Sequence, residues 1–184
     1  MEYLDVLDEN GAFTGEKKDR NSMHIDGDWH KVVQIFVVNN NKIMLQQRSL
    51  AQKSDPGKWC ASASGHISAG EESYDAAIKE FQEELGIKIE KKDFFLIDTF
   101  KSPSITFNKG NRIINNHFVD LYIVNKEIDI NDINIQPEEV NQVNYFGIDE
   151  FMDMVKKCDD RLTKTPILFE HLVEYLKEYI RKGK

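Results

Sequence analysis

Residues 65–87 read GHISAGEESYDAAIKEFQEELGI, and the reading of this stretch decides the rest. Ser73 to Leu85 is predicted to form a helix. Tyr74, Ile78, Phe81 and Leu85 recur on one stripe at helical spacing, and Gly86 follows where a left-handed cap ends a helix. Glu80, Glu83 and Glu84 stand at i, i+3 and i+4, on what reads as the side opposite that stripe. Like charges so spaced destabilise a bare helix, and a divalent cation would neutralise them. A hard ion such as Mg²⁺ takes oxygen ligands and shares its shell with waters and substrate phosphates. Glu71 reaches the same neighbourhood, and Gly65 and Gly70 let the preceding loop turn sharply and approach a ligand.

Three glutamates alone would read as a solvated acidic face. The fixed spacing around them argues otherwise. Gly65 is followed by five residues and Glu71, then by seven residues and Lys79-Glu80-Phe81-Gln82-Glu83-Glu84-Leu85-Gly86-Ile87. This resembles the Nudix box, whose defined positions all match except that Lys79 stands where the family has arginine. The resemblance implies an α+β fold, an α/β/α sandwich around a mixed sheet, and hydrolysis of a diphosphate bond by water attack on phosphorus. It implies Mg²⁺, with Mn²⁺ as an alternative, held by Glu80, Glu83, Glu84 and Gly65. Glu83, Glu84 and Glu139, the last in a later acidic loop Gln136-Pro137-Glu138-Glu139, are the candidates for catalysis. Arg48, Lys58 and Glu71 are the candidate substrate contacts. Lys79 takes the orienting role of the family's arginine, keeping the charge but losing the planar fork. The partner implied is a small-molecule diphosphate, nucleoside-linked or a related organic one.

The likeness extends beyond the box. Gly27-Asp28-Trp29-His30, Leu45-Gln46-Gln47-Arg48, Pro56-Gly57-Lys58-Trp59 and Ser64-Gly65-His66 are similar to the branch that contains isopentenyl-diphosphate isomerase. That branch holds a metal with histidines equivalent to His24, His30 and His66, so these three are candidates for a second metal. The alternative is that each simply hydrogen-bonds in the core. The isomerase itself is disfavoured. Ser64 replaces its acid–base cysteine, and Asn115 and His117 fall where it has carboxylates, which removes a ligand and the base. Cys60, four residues before Ser64, does not occupy the cysteine's position. A diphosphate-binding module without turnover is the remaining alternative.

Around this centre the chain reads as one domain over residues 1–184. Residues 1–20 suggest a hairpin turning at Asn10-Gly11, with strands at 2–7 and 12–17. Asp19 to Asp28 reads as loop. Strands are expected at Val32–Val38, Ile43–Gln47, Ala61–Ile67, Phe94–Phe100, Ser104–Asn108, Phe118–Val124 and Val143–Phe146. Helices are expected at Ile148–Lys156 and about 166–181, the second either covering the sheet or joining a homodimer. The 184 residues carry a net charge of −8, which repels the phosphate backbone of long nucleic acid. No apolar run approaches the ~20 residues of a membrane span, and no secretory signal precedes the first strand, so a cytoplasmic protein with two free, buried thiols, Cys60 and Cys158, is expected.

Overall fold

The computed structural model describes residues 2–52, 54–108 and 110–182. One nine-stranded sheet organises it. Its strands are β1 (Tyr3–Leu7), β2 (Phe13–Asp19), β3 (Trp29–Asn39), β4 (Lys42–Arg48), β5 (Trp59–Cys60), β6 (Ala63–His66), β7 (Phe94–Asn108), β8 (Asn111–Val124) and β9 (Val140–Gly147). Its helices are α1 (Arg20–Asp26), α2 (Ser73–Leu85), α3 (Ile148–Lys156) and α4 (Pro166–Arg181).

β3 is central because it is apolar on both faces. Val33, Ile35 and Val37 pack to one side, and Val32, Phe36 and Val38 to the other. It runs parallel to β8, Trp29 to Val37 pairing with Asn116 to Val124. Its other edge pairs antiparallel with β1, then β6, then β4, so the sheet is mixed. On one face α2 buries Ala76, Ala77, Phe81 and Leu85. On the other, α3 buries Phe151 and Met154, and α4 buries Leu168, Phe169, Leu172, Leu176 and Tyr179. This is an α/β/α sandwich, with α4 covering the sheet. None of the described helices is long and apolar enough to cross a membrane.

Two departures from the sequence reading shape the site. Asp19 to Asp28 is not loop: α1 forms there, capped by the Asp19 carboxylate, which accepts from the Asn21 and Ser22 amides, and closed by Gly27 at φ 77°. Of the strand expected over 61–67 only 63–66 forms, as β6, and a separate two-residue strand, β5, precedes it, because β4 leaves β3 after Met44 and carries β5 with it, while β6 takes the vacated place beside β3. Ser62 sits where they part, its hydroxyl donating to Met44 O at 2.6 Å and accepting from Val37 N at 2.9 Å. A fork therefore opens between β4 and β6. Elsewhere, the strands expected at 94–100 and 104–108 are one strand that tolerates Pro103 because, among the described residues, β7 pairs only with β8. β8 begins at Asn111, seven residues before the expected Phe118.

Candidate active site

α2 delivers Glu84 into the fork. Only 3% exposed, it sits on the sheet-facing side of the helix, not opposite the apolar stripe as the spacing suggested. The stripe itself is shifted: Ala76, Ala77, Phe81 and Leu85 are buried, while Tyr74 and Ile78 are only half-buried. One Glu84 oxygen accepts from Gln46 Nε2 on β4 and from the Ser64 amide on β6, each at 3.0 Å. Burial pushes the Glu84 carboxyl up to about 8. One turn earlier, Glu80 lies flat against Gly65, where a methyl group would come within 2.5 Å of its Cγ. Burial pushes the Glu80 carboxyl up to about 7, partly countered by Lys79. The Lys79 ammonium stands 3.1 Å from Glu71 and 3.5 Å from Glu80, between the two carboxylates.

The loop after residue 133 is tied to the end of α2, the amides of Asn134 and Gln136 donating to Leu85 O and Glu84 O. Glu139, exposed on this loop, is near enough to raise both Glu80 and Glu84 by charge repulsion. Two expected residues lie apart. Glu83 faces solvent beside Asp75 and Gln82, contributing only its charge to Glu80. Lys58 turns to the carbonyl of Asp160 and does not line the cavity described next.

That cavity, about 270 Å³, opens on the α4 side of the fork. Gln34, Ser64 and His117 form its floor, Ser102, Ser104 and Thr106 of β7 one wall, and Arg20, Arg48 and Glu139 line it with Glu84 and Gly65. The cations oppose the chain's negative charge locally, which suits an anionic ligand. Arg48 is braced by Ser54 O at 2.9 Å.

Beside it the structure gathers four histidines. His24 comes from α1, His30 from β3, His66 from β6 and His117 from β8, and one ring nitrogen of each lies within 4.8 Å of the others. His117 was read from the sequence only as a lost carboxylate. Its partnership with His30 follows from the parallel β3–β8 register, which sets the two opposite each other. Burial holds all four imidazoles below their ordinary value, His30 at about 4. Of the two thiols, Cys158 is exposed rather than buried as expected. Cys60 is buried against Gln46 O at 3.7 Å and pushed up to about 12 by that burial, which leaves it inert as an acid or base at neutral pH.

A family model, NUDIX domain, matches residues 28–165, and the chain belongs to this family of Nudix hydrolases, which act on diphosphate-containing substrates. Over 162 residues it is 40% identical to Nudix hydrolase 3 of Arabidopsis thaliana, a match covering 86% of this chain and 21% of that protein. The chain thus spans about a fifth of that relative's length. It is 27% identical to an isopentenyl-diphosphate Delta-isomerase of Cereibacter sphaeroides, over 86% of this chain and 85% of that one. Among solved structures, DR0079 from Deinococcus radiodurans shares the fold at a TM-score of 0.66 and 16% identity, covering 96% of this chain and 98% of that one.

Proposed function

We propose that the protein hydrolyses a diphosphate bond in a nucleoside diphosphate-linked or related organic diphosphate, with Mg²⁺ as its ion and Mn²⁺ able to substitute. The observation that carries this reading is the pair Glu80 and Glu84 on one side of α2, one packed against the bare Cα of Gly65 and the other buried in the fork. Two carboxyls whose ionisation is suppressed by burial and by neighbouring carboxylates are what a dication would relieve. The residues present therefore fit the ion. When bound, Mg²⁺ would neutralise charge on the diphosphate oxygens and acidify an attacking water.

The remaining work falls to the chain. Lys79 holds Glu71 and Glu80 in place. Gln46 and the Ser64 amide fix one oxygen of Glu84 and leave the other for the ion. Glu83, facing solvent, adds its negative charge beside Glu80. Glu139, on the cavity wall, takes the proton from the attacking water. Arg48 steadies the substrate's charge. The isomerase reading lacks support at each point where it needs a group: Ser64 is no thiol, Cys60 is sealed, and Asn115 and His117 are not carboxylates.

Turnover of a panel of nucleoside diphosphate-linked compounds with Mg²⁺, and products identified by mass, tests the proposal with Glu83→Gln, Glu84→Gln and Glu139→Gln alongside. Glu84→Gln is expected to lose at least 10²-fold in kcat, as removal of a ligand that acts in the transition state does. Wild-type rates from both Glu84→Gln and Glu139→Gln would overturn the assigned roles.

A further inference from the structure

The carboxylates of α2 do not exhaust the chemistry beside the cavity. The four histidines, of which His66 and His117 line the same cavity, have no part in the hydrolytic reading. Three adjacent strands present His30, His66 and His117 on one face. His30 faces His117 across the β3–β8 ladder, and His66 faces Val32, the next residue on the same side of β3. α1 closes the group with His24 in its last turn. Ring centroids are 4.8 to 6.0 Å apart.

Histidines that merely pack in a core satisfy both ring nitrogens. These do not. His30 Nδ1 lies 3.0 Å from Asp28 O and His24 Nδ1 lies 3.2 Å from Ile114 O. A carbonyl only accepts, so each Nδ1 carries the proton and each Nε2 keeps a lone pair. That is how backbone carbonyls orient metal-binding imidazoles. The Nε2 atoms of His30, His66 and His117 are buried and have no hydrogen-bond partner, and His30 is 0% exposed. A buried polar atom left unpaired costs free energy, so three around one point indicate a missing common partner.

We propose that His24, His30, His66 and His117 form an all-imidazole centre for a borderline d-block dication of the Zn²⁺ class, with His117 as the fourth ligand. The isomerase branch accounts for the first three positions. His117 is this chain's own departure, and it changes the chemistry: four neutral nitrogens favour Zn²⁺, Co²⁺ or Ni²⁺, whereas Mg²⁺ requires oxygen. Tetrahedral bonds of about 2.0–2.1 Å set ligand nitrogens about 3.4 Å apart, so the four nitrogens, all within 4.8 Å of one another, would draw together on binding. The centre has no carboxylate to serve as a base, so it binds and polarises rather than moving a proton. It stands whether or not the α2 carboxylates are catalytic.

The test uses the full chain, stripped with chelator, in excess Mg²⁺, titrated with Co²⁺ and read by visible absorption and by metal content after gel filtration. The expected result is one Co²⁺ per chain with the intense visible bands of four-coordinate cobalt, displaced by Zn²⁺. Glu84→Gln is expected to retain this site. His117→Asn and His24→Asn are expected to weaken it at least tenfold while keeping the wild-type far-ultraviolet circular dichroism. Should either variant misfold, the paired comparison of the other with Glu84→Gln still decides. No stoichiometric Co²⁺ in the presence of Mg²⁺, a site unchanged in a folded histidine variant, or a site lost in Glu84→Gln overturns the proposal.

Discussion

Replacing Gly65 with alanine probes the hydrolytic site without touching a charge. The added methyl would lie 2.5 Å from Glu80 Cγ and closer still to its carboxyl carbon and one carboxylate oxygen. Non-bonded carbons settle at about 3.5–4.0 Å, so the Glu80 carboxylate must retreat by about 1 Å or more. A misplacement of that size in a catalytic group is worth on the order of 10²-fold in rate. The fold is expected to survive. Gly65 does not occupy the left-handed region, and what the methyl meets is the end of a side chain, not backbone. Glu80 already resists ionising where it lies, so swinging toward water costs the metal-free protein little. A destabilisation of about 1 kcal/mol corresponds to about 2–4 °C in Tm for a chain of this size. Initial rates at saturating Mg²⁺, with melting curves in chelator, measure both quantities. A Gly65→Ala protein within threefold of wild-type turnover would refute the cradle. One that melts tens of degrees lower would show that the methyl strikes the framework and not Glu80.

Other perturbations separate the parts of the account. Lys79→Arg restores the two-pronged contact to Glu71 and Glu80 and is expected to keep or raise kcat, while Lys79→Ala lowers it about tenfold or more; equal rates for lysine and alanine would remove the orienting role. In metal-free protein Glu84 releases its proton at about 8, against an ordinary 4.5. Between those values the unfolded chain has lost a proton that the folded chain keeps, so this contribution to stability falls as pH rises and levels off above about 8. The buried histidines work in the opposite direction, but their influence ends above the ordinary value of 6.5. From pH 7 to 9 the Tm of wild type is therefore expected to drop relative to Glu84→Gln, and a constant difference would contradict the burial argument. At pH 7.5 a brief iodoacetamide treatment of native protein is expected to add one label, on exposed Cys158, and none on Cys60; labelling of Cys60 by peptide mapping would show that its thiol is not sealed.

The sequence made the box helix legible to the residue, Ser73 to Leu85, because strong periodicity, a capping glycine and fixed motif spacing agreed. It misjudged which way Glu84 faced. A stripe drawn through large apolar residues ignored Ala76 and Ala77, and their small size is what lets α2 approach the sheet and carry Glu84 into the fork. α1 was missed although its punctuation is present, with Asp19 and Ser22 at one end and Gly27 at the other. Seven residues are too few for periodicity to speak, and polarity dominated the reading. His117 could be placed at the end of a strand, but only the pairing of β8 with β3, across more than eighty residues of chain, sets it opposite His30. The fork has the same origin. It arises where β4 parts from β3, and no local pattern in either strand announces that divergence.

Hydrolysis at phosphorus is tested most directly by running the Mg²⁺ reaction in ¹⁸O-enriched water with a nucleoside diphosphate-linked substrate and weighing the products. Water attack predicts two phosphorylated fragments, one of which gains a single ¹⁸O on phosphorus, with the signal lost in Glu84→Gln. An intact diphosphate after exhaustive incubation across the panel, or isopentenyl diphosphate converted to its allylic isomer with no label on phosphorus, would contradict the account.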